Sequence, residues 1–232
     1  MITGNRLLDG LSERTRERLQ PYLQLTHLRA GRVLEEPGEP VRYLYFPSAG
    51  LLSCVGVTLR GETLEVAVIG NDGCSAISLA APHRLVVPLA SAAYRVSADV
   101  VGREIQRSDD VRLSLSDWSS NVIAQCTQSA ICVAFHPLVQ RLSRWLLTAR
   151  DQARSNTLEL TQEFVAQMLG VSRPKVSQAL MVLETRALIH QGLGRIHLID
   201  RPGLQTLACE CYEVHRRQRS GSPTGAPMPL PG

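Results

Sequence analysis

Between Ser172 and Gln178 the chain gathers an arginine, a lysine, a glutamine and serines, the side chains that hydrogen-bond to base-pair edges. An arginine can fork onto guanine O6 and N7, and a glutamine onto adenine N6 and N7. Arg173, Lys175, Ser177 and Gln178 fall outside a helical stripe made by Val176, Ala179, Leu180 and Leu183. The outer face is short, polar and basic, as a helix entering the major groove requires. Thr161, Gln162 and Ser172, at the starts of two successive helices, and Arg195 further on complete the candidate DNA surface.

Local elements must hold that face. Thr161 is a capping residue type for a helix over Gln162–Leu169, in which Phe164, Val165, Met168 and Leu169 recur at spacings of one, three and four. Gly170 ends it, and Ser172 is placed to cap the next helix. Beyond, Leu188 to His190 reads as a short strand, Gly192 and Gly194 permit a tight turn, and Arg195 to Ile199 return as a second strand. This is a winged helix-turn-helix pattern, with Arg195 at the wing tip facing phosphate.

The runs Leu160-Thr161-Gln162-Glu163 and Ala166-Gln167-Met168-Leu169-Gly170-Val171-Ser172-Arg173, followed by Val176-Ser177 and Leu183-Glu184, resemble the cyclic AMP receptor protein and Fnr superfamily of bacterial transcription regulators. The resemblance extends more loosely over the upstream part. It implies an α+β fold with an N-terminal antiparallel β-roll of the cyclic-nucleotide-binding type, a long dimerisation helix and the C-terminal winged domain. It further implies a homodimer on double-stranded DNA, RNA polymerase as a candidate partner, and no enzymatic activity.

Two departures from that family bear on function. Cyclic-nucleotide binders place a Gly-Glu pair for the ribose before an Arg-Ser or Arg-Thr pair for the phosphate. Here the corresponding loop, Gly70 to Ile77, has no Glu, and Pro88 to Ala92 has no Arg. A buried phosphate needs a paired charge, so cyclic AMP is not expected to bind, with His83 and Arg84 the nearby stand-ins. The effector stays open: another ligand, a redox signal at a cysteine, or none. In the reading helix, Pro174 replaces the usual acidic residue and Gln178 a later Arg, so the operator is expected to differ from the family's best-known half-site.

The net charge of +4 is unevenly spread. Through His136 there are 13 arginines against 14 acids, and after it 12 basic residues against 7 acids. The basic excess accompanies the helix-turn-helix. No apolar run approaches the roughly 18 residues of a membrane span, and Met1 to Gly10 is unlike a signal peptide, so a cytoplasmic protein is expected. Cys54, Cys74, Cys126, Cys132, Cys209 and Cys211 include no Cys-x-x-Cys, and are read as small buried hydrophobes, with no metal and no cofactor. Iron-sulfur members of the family use cysteines near the N-terminus, whereas here none precedes Cys54.

Residues 1–26 read as short helices broken at Pro21. From His27 to about Glu104, short β-branched and aromatic segments alternate with Gly and Pro, as in a roll: Arg32–Leu34, Arg42–Phe46, Leu51–Leu59, Thr63–Ile69 and Ala92–Val96. Pro37-Gly38-Glu39-Pro40 and Gly61 mark turns. Asp109 to Phe135 lacks Gly and Pro and reads as one long helix. Leu115, Trp118, Val122, Gln125, Ser129 and Cys132 follow an alternating spacing of three and four, and are expected to form a dimer seam. His136-Pro137 marks a hinge. A helix over Leu138–Ala153 is expected to bury Leu142, Trp145, Leu146 and Ala149 and to expose Arg141, Arg144 and Arg150. A last helix from Pro202 to about Arg216 closes the winged domain, with His215 to Arg219 either attracting phosphate or simply solvated. The divisions are a sensor at 1–108, the dimerisation helix at 109–136, the winged domain at 137–219, and a disordered tail at 220–232. Two rival classes remain: a thiol-based redox enzyme using Cys74 or Cys209-x-Cys211, neither with a His nearby in sequence, and a ligand-sensing module that does not bind DNA.

Overall fold

The computed structural model describes residues 2–75 and 80–219. The expected tail at 220–232, and Ala76 and Ile77 of the Gly70–Ile77 loop, lie outside them. The elements run α1 (Arg6–Asp9), α2 (Glu13–Leu19), a single 3-10 turn (Gln20–Tyr22), β1 (Gln24–Leu28), β2 (Val33–Glu35), β3 (Tyr43–Ala49), β4 (Leu52–Val57), β5 (Thr63–Ile69), β6 (Arg84–Val86), β7 (Ser91–Ser97), α3 (Ala98–Arg107), α4 (Asp109–Phe135), α5 (Leu138–Ala153), β8 (Thr157–Leu158), α6 (Gln162–Leu169), α7 (Arg173–Thr185), β9 (Ile189–Gly192), β10 (Arg195–Leu198), α8 (Arg201–Leu207) and α9 (Cys211–Arg219).

Two antiparallel sheets, ordered β1-β7-β3 and β2-β6-β4-β5, make the roll. Sequence reading missed β1, β6 and α3: β1 is a largely exposed strand with little apolar alternation, and β6 spans three residues. Along the second sheet, side chains alternate between two cores, as the period of a strand demands. Leu52, Cys54, Ala67, Ile69 and Leu85 face the roll interior with Leu44, Phe46 and Val96. Leu51, Val55, Val68 and Val86 face outward, joining Leu142, Trp145, Leu146 and the buried residues of α6 and α7. The C-terminal elements are therefore packed onto the roll through a shared core.

Arg141 and Arg144, expected outside α5, are buried with 8% and 7% of their surface exposed. The reason is crowding: α7, α8 and α9 all pack against α5. Arg141 Nη2 satisfies the Leu169 carbonyl at the end of α6, leaving Arg150 of the three half-exposed beside Asn156 and Asp151. The closing helix is also two helices, with an extended Ala208 between α8 and α9. His215 is buried and Arg219 pairs with Asp72 of the roll at 2.7 Å, while Arg216 and Arg217 between them stay exposed.

The long helix α4 corrects the expected seam. Trp118, Val122, Gln125, Ser129 and Cys132 are buried within their own chain, and Leu115 is half-buried against the roll interior. The cause is the open edge of β5, whose backbone groups need partners. Gln125 Oε1 accepts from the Val68 N–H at 3.0 Å, and Ser129 Oγ donates to the Glu65 carbonyl at 3.1 Å. Trp118 Nε1 donates to the Cys74 carbonyl at 2.7 Å. Its ring lies so close over Gly73 that a Cβ there would come within 2.2 Å of it.

Candidate nucleic-acid interface

At the start of α6, Thr161 Oγ1 accepts the Phe164 N–H at 3.1 Å, closing the cap expected from sequence. Gly170 then turns the chain with φ of 64°, a left-handed conformation that favours glycine. Ser172 stands at the cap of α7, but through its backbone: its carbonyl accepts from Lys175 and Val176, and its side chain makes no capping bond. Pro174 fits the first turn, where its missing N–H costs nothing. Val176, Ala179, Leu180 and Leu183 are all buried, which turns Arg173, Lys175 and Gln178 to solvent and leaves Ser177 half-buried.

The wing is a three-stranded sheet in the order β8-β10-β9. Leu193 occupies its tip, fully exposed, and Arg195 is the first residue of β10. An open groove of about 460 Å³ separates the wing from the helix starts. Thr161, Gln162 and Arg173 line one wall and Arg195 the other. Ser172 and Lys175 border a neighbouring cleft of about 990 Å³, across from Thr58 to Leu64 of the β4–β5 hairpin. That cleft exists because the helix pair rests on the roll: Thr63 Oγ1 donates to the Gln167 carbonyl at 2.9 Å. Ser177 and Gln178, further along α7, border neither space.

A polar relay sets the wing against both helices. Gln162 Nε2 donates to Gln191 Oε1 at 2.9 Å, while the Gln191 N–H and Nε2 each donate to the Glu184 carboxylate at 2.8 Å. The two Gln191 bonds, backbone first, hold the Glu184 carboxyl below its ordinary range. Gln162 is thereby committed to wing geometry as well as lining the groove. Sequence reading missed Gln191, whose role appears only when β9 folds back beside α7.

The cysteines are buried as expected, save the half-buried Cys126, but three of them gather at one point. Cys54 and Cys74 are buried in the roll, but Cys132, Cys209 and Cys211 converge with His136. The thiol pair Cys209-x-Cys211 thus has an imidazole nearby in space, with Cys211 opening α9. Both thiols are buried.

The Crp-like helix-turn-helix domain family matches residues 140–207. No curated protein matches the sequence. Among solved structures, a Crp/Fnr-family transcriptional regulator from Eubacterium rectale superposes with a TM-score of 0.69 at 16% identity, over 87% of this chain and 96% of that one. FixK2 of Bradyrhizobium japonicum gives 0.67 at 15% identity, over 81% and 98%. A Crp/Fnr-family regulator from Thermus thermophilus gives 0.65 at 19% identity, over 80% and 98%. At such identities the likeness speaks for the fold, and the family match speaks for the C-terminal part. Residues 140–207 thus match the Crp-like helix-turn-helix domain, in a chain whose fold is like that of solved Crp/Fnr-family regulators.

Proposed function

We propose that this chain is a sequence-specific DNA-binding transcription regulator that acts as a homodimer, each copy placing α7 in the major groove of one half-site. The observation that carries the reading is the groove in which Thr161, Gln162, Arg173 and Arg195 meet. Its helix walls are polar and cationic, and its wing offers the guanidinium a phosphate contact demands. Arg173 and Gln178 are assigned to base edges, Lys175 and Arg195 to phosphates, and Thr161, Ser172 and Ser177 to supporting contacts. The three divisions serve this: residues 1–108 sense, 109–136 pair the copies, and 137–219 read DNA. The regulator is not assigned catalysis, works where chromosomal DNA is, and takes RNA polymerase as its partner at promoters.

The dimer seam belongs on the other side of α4. Leu113, Ser116, Ser120, Ile123, Thr127, Ala130 and Ala134 are all exposed and alternate at spacings of three and four. The row is uncharged and made of apolar or small side chains, as close approach of a twin helix requires.

Cyclic AMP is not the effector in this reading. Arg84, one stand-in for the missing phosphate-binding arginine, is paired with Glu36 at 2.9 Å. Burial pulls the pKa of His83, the other, downward, which disfavours the cation an anion would need.

Selection of binding sites from random duplexes, followed by titration at several salt concentrations, tests the assignment. A two-fold symmetric motif, with affinity that falls as salt rises, is expected. Failure to enrich any motif at low salt would refute it.

A further inference from the structure

His136 ends α4 one turn after Cys132, so the two side chains project from the same face at a spacing of four. Cys209 lies in the break between α8 and α9, Cys211 opens α9, and both meet them there. The four ligand atoms all lie within 4.8 Å of one another. Cys132 Sγ and Cys209 Sγ are 3.6 Å apart, and Cys211 Sγ and His136 Nδ1 are 3.5 Å apart. A tetrahedral zinc ion with Zn–S of about 2.3 Å and Zn–N of about 2.0 Å has edges of about 3.8 Å between sulfurs and about 3.5 Å between sulfur and nitrogen. The two separations therefore match the edges of a Cys₃His tetrahedron.

We infer that Cys132, His136, Cys209 and Cys211 form a zinc site that ties the end of α4 to the break between α8 and α9. Thiolate and imidazole ligands in a tetrahedron select zinc over the hard cations magnesium and calcium. The spacing is that of ligands around one ion, whereas cysteines holding an iron-sulfur cube stand further apart around its several atoms.

The surroundings match a metal centre. His136 turns Nδ1 toward the thiols, and its Nε2 donates to Glu210 Oε1 at 3.1 Å, the carboxylate–histidine pairing that orients metal-binding imidazoles. Gln128 Nε2 donates to Cys211 Sγ at 2.9 Å, a bond that favours thiolate over thiol. Three thiolates, a neutral imidazole and a dication carry one net negative charge. Arg144 and Arg141, both buried in α5, bring guanidinium charge toward Cys132. Arg144 Nε has no hydrogen-bond partner, as befits a group held there for its charge.

The site sits beside Pro137, where the chain passes from α4 into the helix-turn-helix domain. A bound ion would fix α9, and with it the C-terminal domain, relative to α4. Withdrawal of the ion would release that constraint.

The test is zinc stoichiometry of the folded full-length chain, with cobalt(II) as the spectroscopic probe. About one zinc per chain is expected, and cobalt should give tetrahedral d–d bands with thiolate charge transfer. Cys126→Ser, outside the cluster, should leave both unchanged. Cys209→Ser and Cys211→Ser should weaken metal affinity about tenfold or more, an effect at least the size of a second-shell change. Because these variants could fail to fold, His136→Cys supplies a second reading: it should keep one metal per chain with a shifted charge-transfer band. A folded, reduced wild type that takes up no zinc overturns the inference. So does a Cys132–Cys209 disulfide with no metal uptake after reduction, or full zinc retention in a Cys209→Ser/Cys211→Ser double variant.

Discussion

Helices α4 and α7 each turn one face to the protein and one to solvent, but they sort their side chains by different rules. In α7 charge decides: Arg173 and Lys175 cannot be buried unpaired, so Val176, Ala179, Leu180 and Leu183 must face inward. From Trp118 to Phe135, α4 has no charged residue, and both of its faces carry apolar and small polar side chains. There the choice falls to hydrogen bonds. Gln125 and Ser129 reach the open edge of β5, and Trp118 finds a carbonyl and a bare glycine. Periodicity alone orients a helix when one face is charged, and leaves the orientation open when neither is.

The largest expected effect breaks the inward face of α4. Trp118→Ala should cost about 3–5 kcal/mol of stability in denaturant titration, since it opens a cavity and removes the indole hydrogen bond to the Cys74 carbonyl. A loss below about 1 kcal/mol, accompanied by dissociation of the dimer, would return Trp118 to the seam.

Glu65 sharpens the same junction through pH. Its carboxylate accepts from Ser53 Oγ and from Trp145 Nε1, at 2.5 and 2.9 Å. Burial outweighs these bonds and the nearby Arg144 charge, and raises its pKa from 4.5 to about 7. The native state thus keeps this proton where the unfolded chain has lost it. Stability should fall as pH rises between those two values, by an amount on the order of 3 kcal/mol. Glu65→Gln should abolish that slope, matching wild type near pH 4 and exceeding it at pH 8; an unchanged slope would contradict the assignment.

Ile123→Asp tests the outward face. A carboxylate from each copy at the seam should weaken self-association about 100-fold, roughly 3 kcal/mol, while thermal unfolding of the monomer stays near wild type. Sedimentation that still shows dimer at micromolar concentration would place the interface elsewhere.

These contrasts mark what the sequence made legible. The helix-turn-helix and its wing were readable because the Thr161 cap, a left-handed glycine and charge all agreed over some 40 residues. Arg141 and Arg144 misled because α7, α8 and α9, all later in the chain, pack against α5, and Arg141 finds its partner at the end of α6. The cysteine cluster was hidden for the same reason: Cys132 and His136 have helical spacing, but Cys209 and Cys211 reach them only through an unforeseen break between two helices.

Base reading by Arg173 is central to sequence-specific recognition by α7. Once an operator has been selected, wild type and Arg173→Ala should be titrated on it and on random duplex at the same salt. One bidentate arginine–guanine contact contributes about 1–3 kcal/mol of discrimination, so the variant should lose about 5- to 150-fold on the operator and little on random DNA. Equal losses on both duplexes would contradict sequence reading by the start of α7.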